Sequence, residues 1–247
     1  ITLFNRGHSY GQKIPKNVDW IKGDRLNPRD LMQLKKGNYD YIYDMCCYNL
    51  DHASLLLEVV KPKSHIVFLS SAAVYQKPRT FPLYEESSLG EWSTFGDYGV
   101  NKAKAEKKYS DYCKKNDLKL TILRPTYLLG KNNYFDRENY FFSRILTSRT
   151  ILLPGKGEAI LQFGFLDDTA QAFFTVPGVQ NKKIEIVNVA GIDLISLRNF
   201  ILLCGDIVGK KPKLIELNDG KFGIFEDKFY DDLYPFPNVA FIISNKR

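Results

Sequence analysis

Short β-rich runs alternate with helical stretches through the first half of this 247-residue chain, and that alternation limits the folds open to it. Residues 1–4 form an apolar run ending in Asn5-Arg6-Gly7. Residues 18–21 lead into Gly23-Asp24, residues 39–43 into Asp44, residues 65–69 into Ser70-Ser71, and residues 118–123 into Arg124-Pro125. Between them, 28–36, 51–60 and 98–115 read as helices. Strand–helix alternation predicts an α/β chain with a mostly parallel sheet covered on both faces. Ligands of such sheets sit beyond the carboxyl ends of the strands. Arg6, Asp24, Asp44, Ser71 and Pro125 all fall there.

The second half is less regular. Residues 139–146 read as an aromatic-rich helix, 159–165 as a strand, 167–176 as a helix, 184–189 as a strand, 197–208 as a helix and 213–216 as a short strand. The tail over 222–241 is rich in aromatics and proline. The division expected is a dinucleotide-binding unit over 1–126 and a lobe over 127–247 with elements returning to the first. No Gly-x-Gly-x-x-Gly occurs in the chain, and its first element reads as the second strand of a dinucleotide fold. The first βα unit, which carries that loop, is therefore expected to precede Ile1 in the intact protein, as roughly 25–30 residues.

Within the third helical stretch, Tyr98 and Lys102 are four residues apart and so share a helix face. A free phenol, with a pKa of about 10, is a poor base at neutral pH. A nearby ammonium favours the phenolate, and the Ser71 hydroxyl brought to the same place would hold a substrate oxygen. Such a trio suits proton transfer at an alcohol while a cofactor exchanges hydride. The same spacing recurs at Tyr127 and Lys131, where Gly130 and Asn132-Asn133 suggest a loop. Asp97 is placed to cap the start of the Tyr98 helix.

Composition narrows the setting. No apolar run approaches the ~20 residues of a membrane span, and no charged-then-apolar leader is visible. Cys46, Cys47, Cys113 and Cys204 form no Cys-x-x-Cys pair, and with three histidines in the chain a zinc site is not expected. Free thiols fit a reducing cytoplasm. A formal charge of +7 suits a nucleotide, RNA or simply a lysine-coated surface, and no long basic block marks a nucleic-acid tail.

The pieces Phe4-Asn5-Arg6-Gly7, Gly23-Asp24, Leu69-Ser70-Ser71-Ala72-Ala73-Val74-Tyr75, Tyr98-x-x-x-Lys102 and Arg124-Pro125-Thr126-Tyr127 before Gly130 occur in one order. In these the chain resembles the extended short-chain dehydrogenase/reductase superfamily, the NAD-dependent epimerase/dehydratase group. Tyr140 to Arg144, Leu153-Pro154-Gly155-Lys156-Gly157, Phe163 to Asp168 and Tyr234-Pro235-Phe236 are similar to the branch of chloroplast stem-loop RNA-binding proteins and their bacterial relatives.

The resemblance implies a Rossmann-like doubly wound parallel sheet with a smaller C-terminal substrate lobe. It implies Tyr98 as general acid/base, Ser71 as the hydrogen-bond partner of the reacting oxygen, and Lys102 as holder of the nicotinamide ribose that also lowers the tyrosine pKa. It implies NAD or NADP as cofactor, with Asn5, Arg6, Asp24, Asp44, Ser70, Lys102, Pro125 and Thr126 along its path. Arg6, where NAD-preferring members carry an acid, either pairs with a 2′-phosphate, favouring NADP, or stacks on adenine or faces water. Tyr75, Arg137 and Arg144 fall where relatives bind substrate, the arginines either holding a diphosphate or carboxylate or forming surface ion pairs. Asp167 and Asp168 fit a helix cap. Ala72 and Ala73 replace the acidic pair of the nucleotide-sugar 4,6-dehydratases, which disfavours that dehydration. The activity implied is an NAD(P)-dependent oxidoreductase or epimerase acting on a sugar-like alcohol, as a homodimer. The branch similarity leaves RNA binding on a dehydrogenase scaffold, or a non-catalytic NADP-binding regulator, as alternatives.

Overall fold

The computed structural model describes residues 1–7, 14–133, 135, 137–217 and 234–246. In chain order the elements are β1 (Thr2–Asn5), β2 (Asp19–Lys22), α1 (Pro28–Leu31), β3 (Tyr41–Asp44), α2 (Leu50–Val59), β4 (His65–Leu69), α3 (Gly96–Lys115), β5 (Lys119–Pro125), β6 (Tyr127–Leu129), α4 (Arg137–Leu146), β7 (Thr150–Pro154), β8 (Ile160–Phe165), α5 (Leu166–Val179), β9 (Ile184–Val189), β10 (Leu194–Ser196), α6 (Leu197–Ile207) and β11 (Lys213–Leu217).

The main sheet has the order β3-β4-β5-β9 and is parallel throughout. Its central strand β4 reads His-Ile-Val-Phe-Leu without polar alternation, as a strand covered on both faces must. On one face, Ala53 and Leu57 of α2 and Ala105, Tyr109 and Cys113 of α3 pack on Ile66, Phe68, Leu120 and Ile122. On the other, Phe173 of α5 packs on Val67 and Leu123. Helices on both sides make the sheet doubly wound. β1 and β2 form a separate parallel pair, joined to the rest through a cluster of Leu31, Leu34 and Val60 with Phe4, Ile21 and Ile42.

The second half places β8 between β10, antiparallel, and β6, parallel, and pairs β7 with β11. Its core gathers Phe141 and Ile145 of α4, Phe200 and Ile201 of α6, and Phe236 and Phe241, and it takes in Tyr75 and Trp92 from the first half. β9 and α5 return to the first-half sheet.

Several sequence expectations need correction. The stretch at Tyr127 is a strand rather than a loop, because Tyr127 pairs with Phe163 far along the chain. β7 and β10 were not foreseen; both are short and paired non-locally. The helix expected over 28–36 ends at Leu31 and tightens into a 3-10 turn over Met32–Leu34. α3 begins at Gly96 with Phe95 at the cap position, so Asp97 lies in the first turn and caps nothing. Asp167 and Asp168 likewise sit in the first turn of α5, where they complement the helix dipole, and make no side-chain cap. The tail expectation over 222–241 lies largely outside the described residues.

A buried polar network joins these layers. Arg124 at the end of β5 grips Glu106 of α3 through Nε–Oε1 at 2.9 Å and Nη2–Oε2 at 2.6 Å. Its Nη1 donates to the Tyr75 hydroxyl and to the Glu85 carbonyl, both at 3.0 Å. Tyr75 donates to Asn188 Oδ1 of β9 at 2.6 Å, and the Ser70 hydroxyl donates to Glu106. Arg124 and Glu106 are 2 % and 4 % exposed. Removing one partner of such a pair leaves an uncompensated buried charge. Glu106→Gln should therefore cost about 3–5 kcal/mol of stability, read as a drop in the urea midpoint; a midpoint shift within error would show that the pair is not what ties α3 to β5.

Candidate active site at the carboxyl ends of the sheet

Strand register brings the site together. Asp44 pairs with Phe68 and Leu69 with Leu123, so β3, β4 and β5 end at similar heights. The chain leaving β4 turns at once into a 3-10 turn over Ala72–Val74, started by Ser71, whose Oγ accepts the Ala73 N–H at 3.2 Å. α3 comes down on this turn at Gly99. A Cβ there would lie 2.1 Å from the Ala73 carbonyl oxygen, so only glycine permits the approach. The glycine beside Tyr98 was a legible signal of close backbone contact that the spacing argument passed over.

That approach sets Tyr98 near Ser71, whose hydroxyl acts to lower the tyrosine pKa. Tyr98 stays 43 % exposed overall, yet burial is the largest influence on its hydroxyl and raises its pKa. The crowding is thus at the phenol end. The Ser71 hydroxyl and the charge of Arg137 act the other way, and Tyr48 adds to the rise.

Lys102, one turn further along α3, is 2 % exposed. Its ammonium donates to the Cys47 carbonyl at 2.8 Å and to the Leu69 carbonyl, and lies 4.6 Å from the Phe68 ring centroid. Burial lowers its pKa to about 8, against the pull of Cys47, Asp44 and Glu106. The expected depression of the Tyr98 pKa by Lys102 is not what this geometry gives: the ammonium is engaged by two carbonyls, and the net shift of Tyr98 is upward.

Other expected contacts are engaged inside the protein. Asp44 is held by Arg25 through Nη1–Oδ1 at 2.6 Å and Nη2–Oδ2 at 3.0 Å, by the Tyr109 hydroxyl and by the Cys46 N–H at 3.2 Å. Its carboxylate thus braces β3 against α3. Ser70 is spent on Glu106, and the Thr126 hydroxyl on the Gln162 carbonyl at 2.9 Å. Pro125 is buried as the last residue of β5. Tyr75 is 0 % exposed and bonded to Arg124 and Asn188. Arg144 stacks on Tyr140 at 4.5 Å and donates to the Thr150 carbonyl at 3.3 Å. It bonds there about 10 Å along the helix from Arg137.

At the end of β1, Asn5 Oδ1 accepts from the Gly7 N–H at 3.0 Å and from Trp20 Nε1 at 3.1 Å, folding the β1 terminus over β2. Arg6 is exposed beside it. Asp24 accepts the Leu26 N–H at 2.9 Å and shapes the loop after β2. Sequence reasoning gave no role to Arg25 or Glu106, although Glu106 continues the Tyr98, Lys102 spacing by four more residues.

A model of the NAD dependent epimerase/dehydratase family matches residues 2–190. A chloroplast stem-loop binding protein of 41 kDa from Arabidopsis thaliana is 27% identical, aligned over 100% of this chain and 66% of its own length. An uncharacterized UDP-glucose epimerase of Bacillus subtilis is 27% identical over 72% of this chain and 55% of its own. The chain thus spans 66% and 55% of the lengths of these curated relatives. Among solved structures, UDP-glucose 4-epimerase from Thermotoga maritima with UDP-glucose superposes with a TM-score of 0.75 at 15% identity, covering 99% of this chain and 82% of that one. UDP-glucuronic acid 4-epimerase from Bacillus cereus with NAD gives 0.69 at 21% identity, covering 83% and 70%. At these identities the structures establish the fold.

The lysine lends itself to a direct test. Lys102 titrates at about 8 in the fold against 10.5 ordinarily. Between those values the unfolded chain binds the extra proton, so stability rises with pH. Urea unfolding of the wild type should show that gain above about pH 8, and Lys102→Met should lack it. Parallel curves would remove Lys102 as the titrating group.

Proposed function

The chain belongs to the NAD dependent epimerase/dehydratase family, and on that premise we propose that it moves a proton on and off a carbinol of a nucleotide-linked sugar, with NAD or NADP bound across the strand ends. The observation that carries this reading is the close seat of the Tyr98 helix on the turn that follows Ser71, made through Gly99 and the Ala73 carbonyl, with Lys102 one turn below. Tyr98 takes the carbinol proton and Ser71 holds the same oxygen. The bound nicotinamide supplies the hydride exchange. Lys102 suits the ribose beside it: an ammonium has three donors, and its hydrogen bonds in the fold are to the Cys47 and Leu69 carbonyls.

The solved relatives bound to UDP-glucose or NAD support a uridine diphosphate sugar and a nicotinamide cofactor. Ala72 and Ala73 are buried, with no acid at either position, which argues for epimerisation or oxidation over dehydration. Exposed Arg6 at the end of β1 favours a 2′-phosphate and hence NADP. In this reading residues 1–126 form the cofactor unit and the lobe from 127 onward closes on the sugar. Tyr98→Phe should abolish turnover while cofactor affinity, measured by titration with NAD and NADP, stays nearly unchanged. Full turnover by that variant, or failure of both cofactors to bind, sinks the reading.

A second reading, RNA binding, is favoured by the stem-loop-binding relative and by the outer face of α3, where Lys104, Lys107, Lys114 and Lys115 are exposed. Lysine–phosphate contacts predict an affinity for structured RNA that falls steeply with salt. Absent or salt-independent binding in a filter assay would rule it out.

A further inference from the structure

Lys102 is held on one side by a loop, and that loop is gripped from across the strand ends. Residues 45–49 run from the end of β3 to the start of α2. Met45 and Tyr48 are exposed there, while Cys47 is 0 % exposed and turns its carbonyl to the Lys102 ammonium at 2.8 Å. The later half of the loop is tied to α2. The Tyr48 N–H donates to His52 Nδ1 at 3.3 Å, and Asn49 Oδ1 accepts the His52 N–H at 2.9 Å.

The earlier half is tied differently. Asp44 Oδ1 accepts the Cys46 N–H at 3.2 Å, and Arg25 reaches in from the loop after β2. Its Nη1 donates to Asp44 Oδ1 at 2.6 Å and to Cys46 Sγ at 3.4 Å. Its Nη2 donates to Asp44 Oδ2 at 3.0 Å and to the His52 carbonyl at 3.1 Å. One guanidinium therefore bonds both ends of the loop, the last residue of β3 and the first turn of α2. Only a planar fork with several fixed donors can do this.

The arginine is an expensive partner for Asp44 alone. Its Nε is buried with no hydrogen-bond partner, and an unmet buried donor costs stability. Asp44 already has the Tyr109 hydroxyl and the Cys46 N–H. What the guanidinium adds is the hold on the loop, and the path from it to Lys102 is continuous: Arg25 to Asp44, Asp44 to the Cys46 N–H, and the next residue's carbonyl to the ammonium.

We propose that Arg25 is a positioning residue for Lys102: by clamping the loop over 45–49 it fixes the Cys47 carbonyl, and with it the place where the ammonium meets the nicotinamide ribose. This rests on the cofactor reading above. Arg25 acts through the loop and not on the reacting atoms.

The test is calorimetric titration of the full-length protein with NAD, NADP and 5′-AMP, in the wild type, Arg25→Lys, Lys102→Met and the double variant. Arg25→Lys keeps a positive charge beside buried Asp44 and so keeps the fold, but a point charge cannot span Asp44, Cys46 and His52. The ligand 5′-AMP carries the adenine half alone and has no nicotinamide ribose for Lys102 to hold. Arg25→Lys should weaken the preferred dinucleotide about tenfold, the equivalent of one charge-assisted hydrogen bond, and leave 5′-AMP within about twofold. In the Lys102→Met background the same change should cost no further affinity, because residues acting through one contact are not additive. Dinucleotide affinity unchanged by Arg25→Lys overturns the assignment. Equal weakening of 5′-AMP and dinucleotide places Arg25 at the adenine end and overturns it too, and so does an undiminished loss in the Lys102→Met background. Each of these results, with a wild type that binds dinucleotide, removes the positioning role alone. A wild type that binds none of the three ligands overturns the cofactor reading with it.

Discussion

The buried Arg124–Glu106 pair is the interaction on which the site geometry depends. Two charges removed from water are expensive, and their attraction recovers that cost only when the geometry is good and the remaining polar atoms are satisfied. Both conditions hold. The pair is bidentate, Glu106 also accepts the Ser70 hydroxyl, and Arg124 also donates to Tyr75 and the Glu85 carbonyl. Burial works against the charge on Arg124, but the bonds from Glu106 outweigh it and hold the guanidinium ionised. One ion pair thereby fixes the end of β5, the first residue after β4 and the rotation of α3.

The rotation of α3 decides everything at its amino end. Gly99, Lys102, Ala105, Glu106, Tyr109 and Cys113 are its buried residues. They anchor the helix at three heights: backbone contact at Gly99, the ion pair at Glu106, and the Asp44 brace at Tyr109. An α-helix so held presents Tyr98 at one position over the sheet. Tyr98 and Lys102 sit on α3, while Arg137 begins the helix that belongs to the second core.

The strands of the main sheet were legible because strands covered on both faces read as continuous apolar runs. The shared face of Tyr98 and Lys102 was legible because a helix puts positions four apart on one face, and Ser71 because it follows the end of an apolar strand. The roles of the other polar residues at the strand ends were not. A sequence shows that Asp44 or Ser70 ends a strand, but not whether its side chain turns to a ligand or to another part of the chain. Here the partners are remote: Tyr109 is 65 residues from Asp44, and Asn188 is 113 residues from Tyr75. The same distance in sequence hid β6, β7 and β10, whose pairing partners lie far along the chain. The start of α3 was misread for a local reason: Gly96 takes a positive φ of 51° and lets the chain enter the helix one residue before Asp97.

The seat of α3 on the Ala73 carbonyl has a consequence for motion. Close-packed surfaces transmit displacement instead of absorbing it. With no side chain between the helix and the turn, a shift of one carries the other with it. Ser71 and Tyr98 therefore ride as a single rigid piece, and vibration of α3 against the sheet changes their height over the strand ends more than the gap between them. A reaction that needs a serine and a tyrosine at one oxygen tolerates the first kind of fluctuation far better than the second.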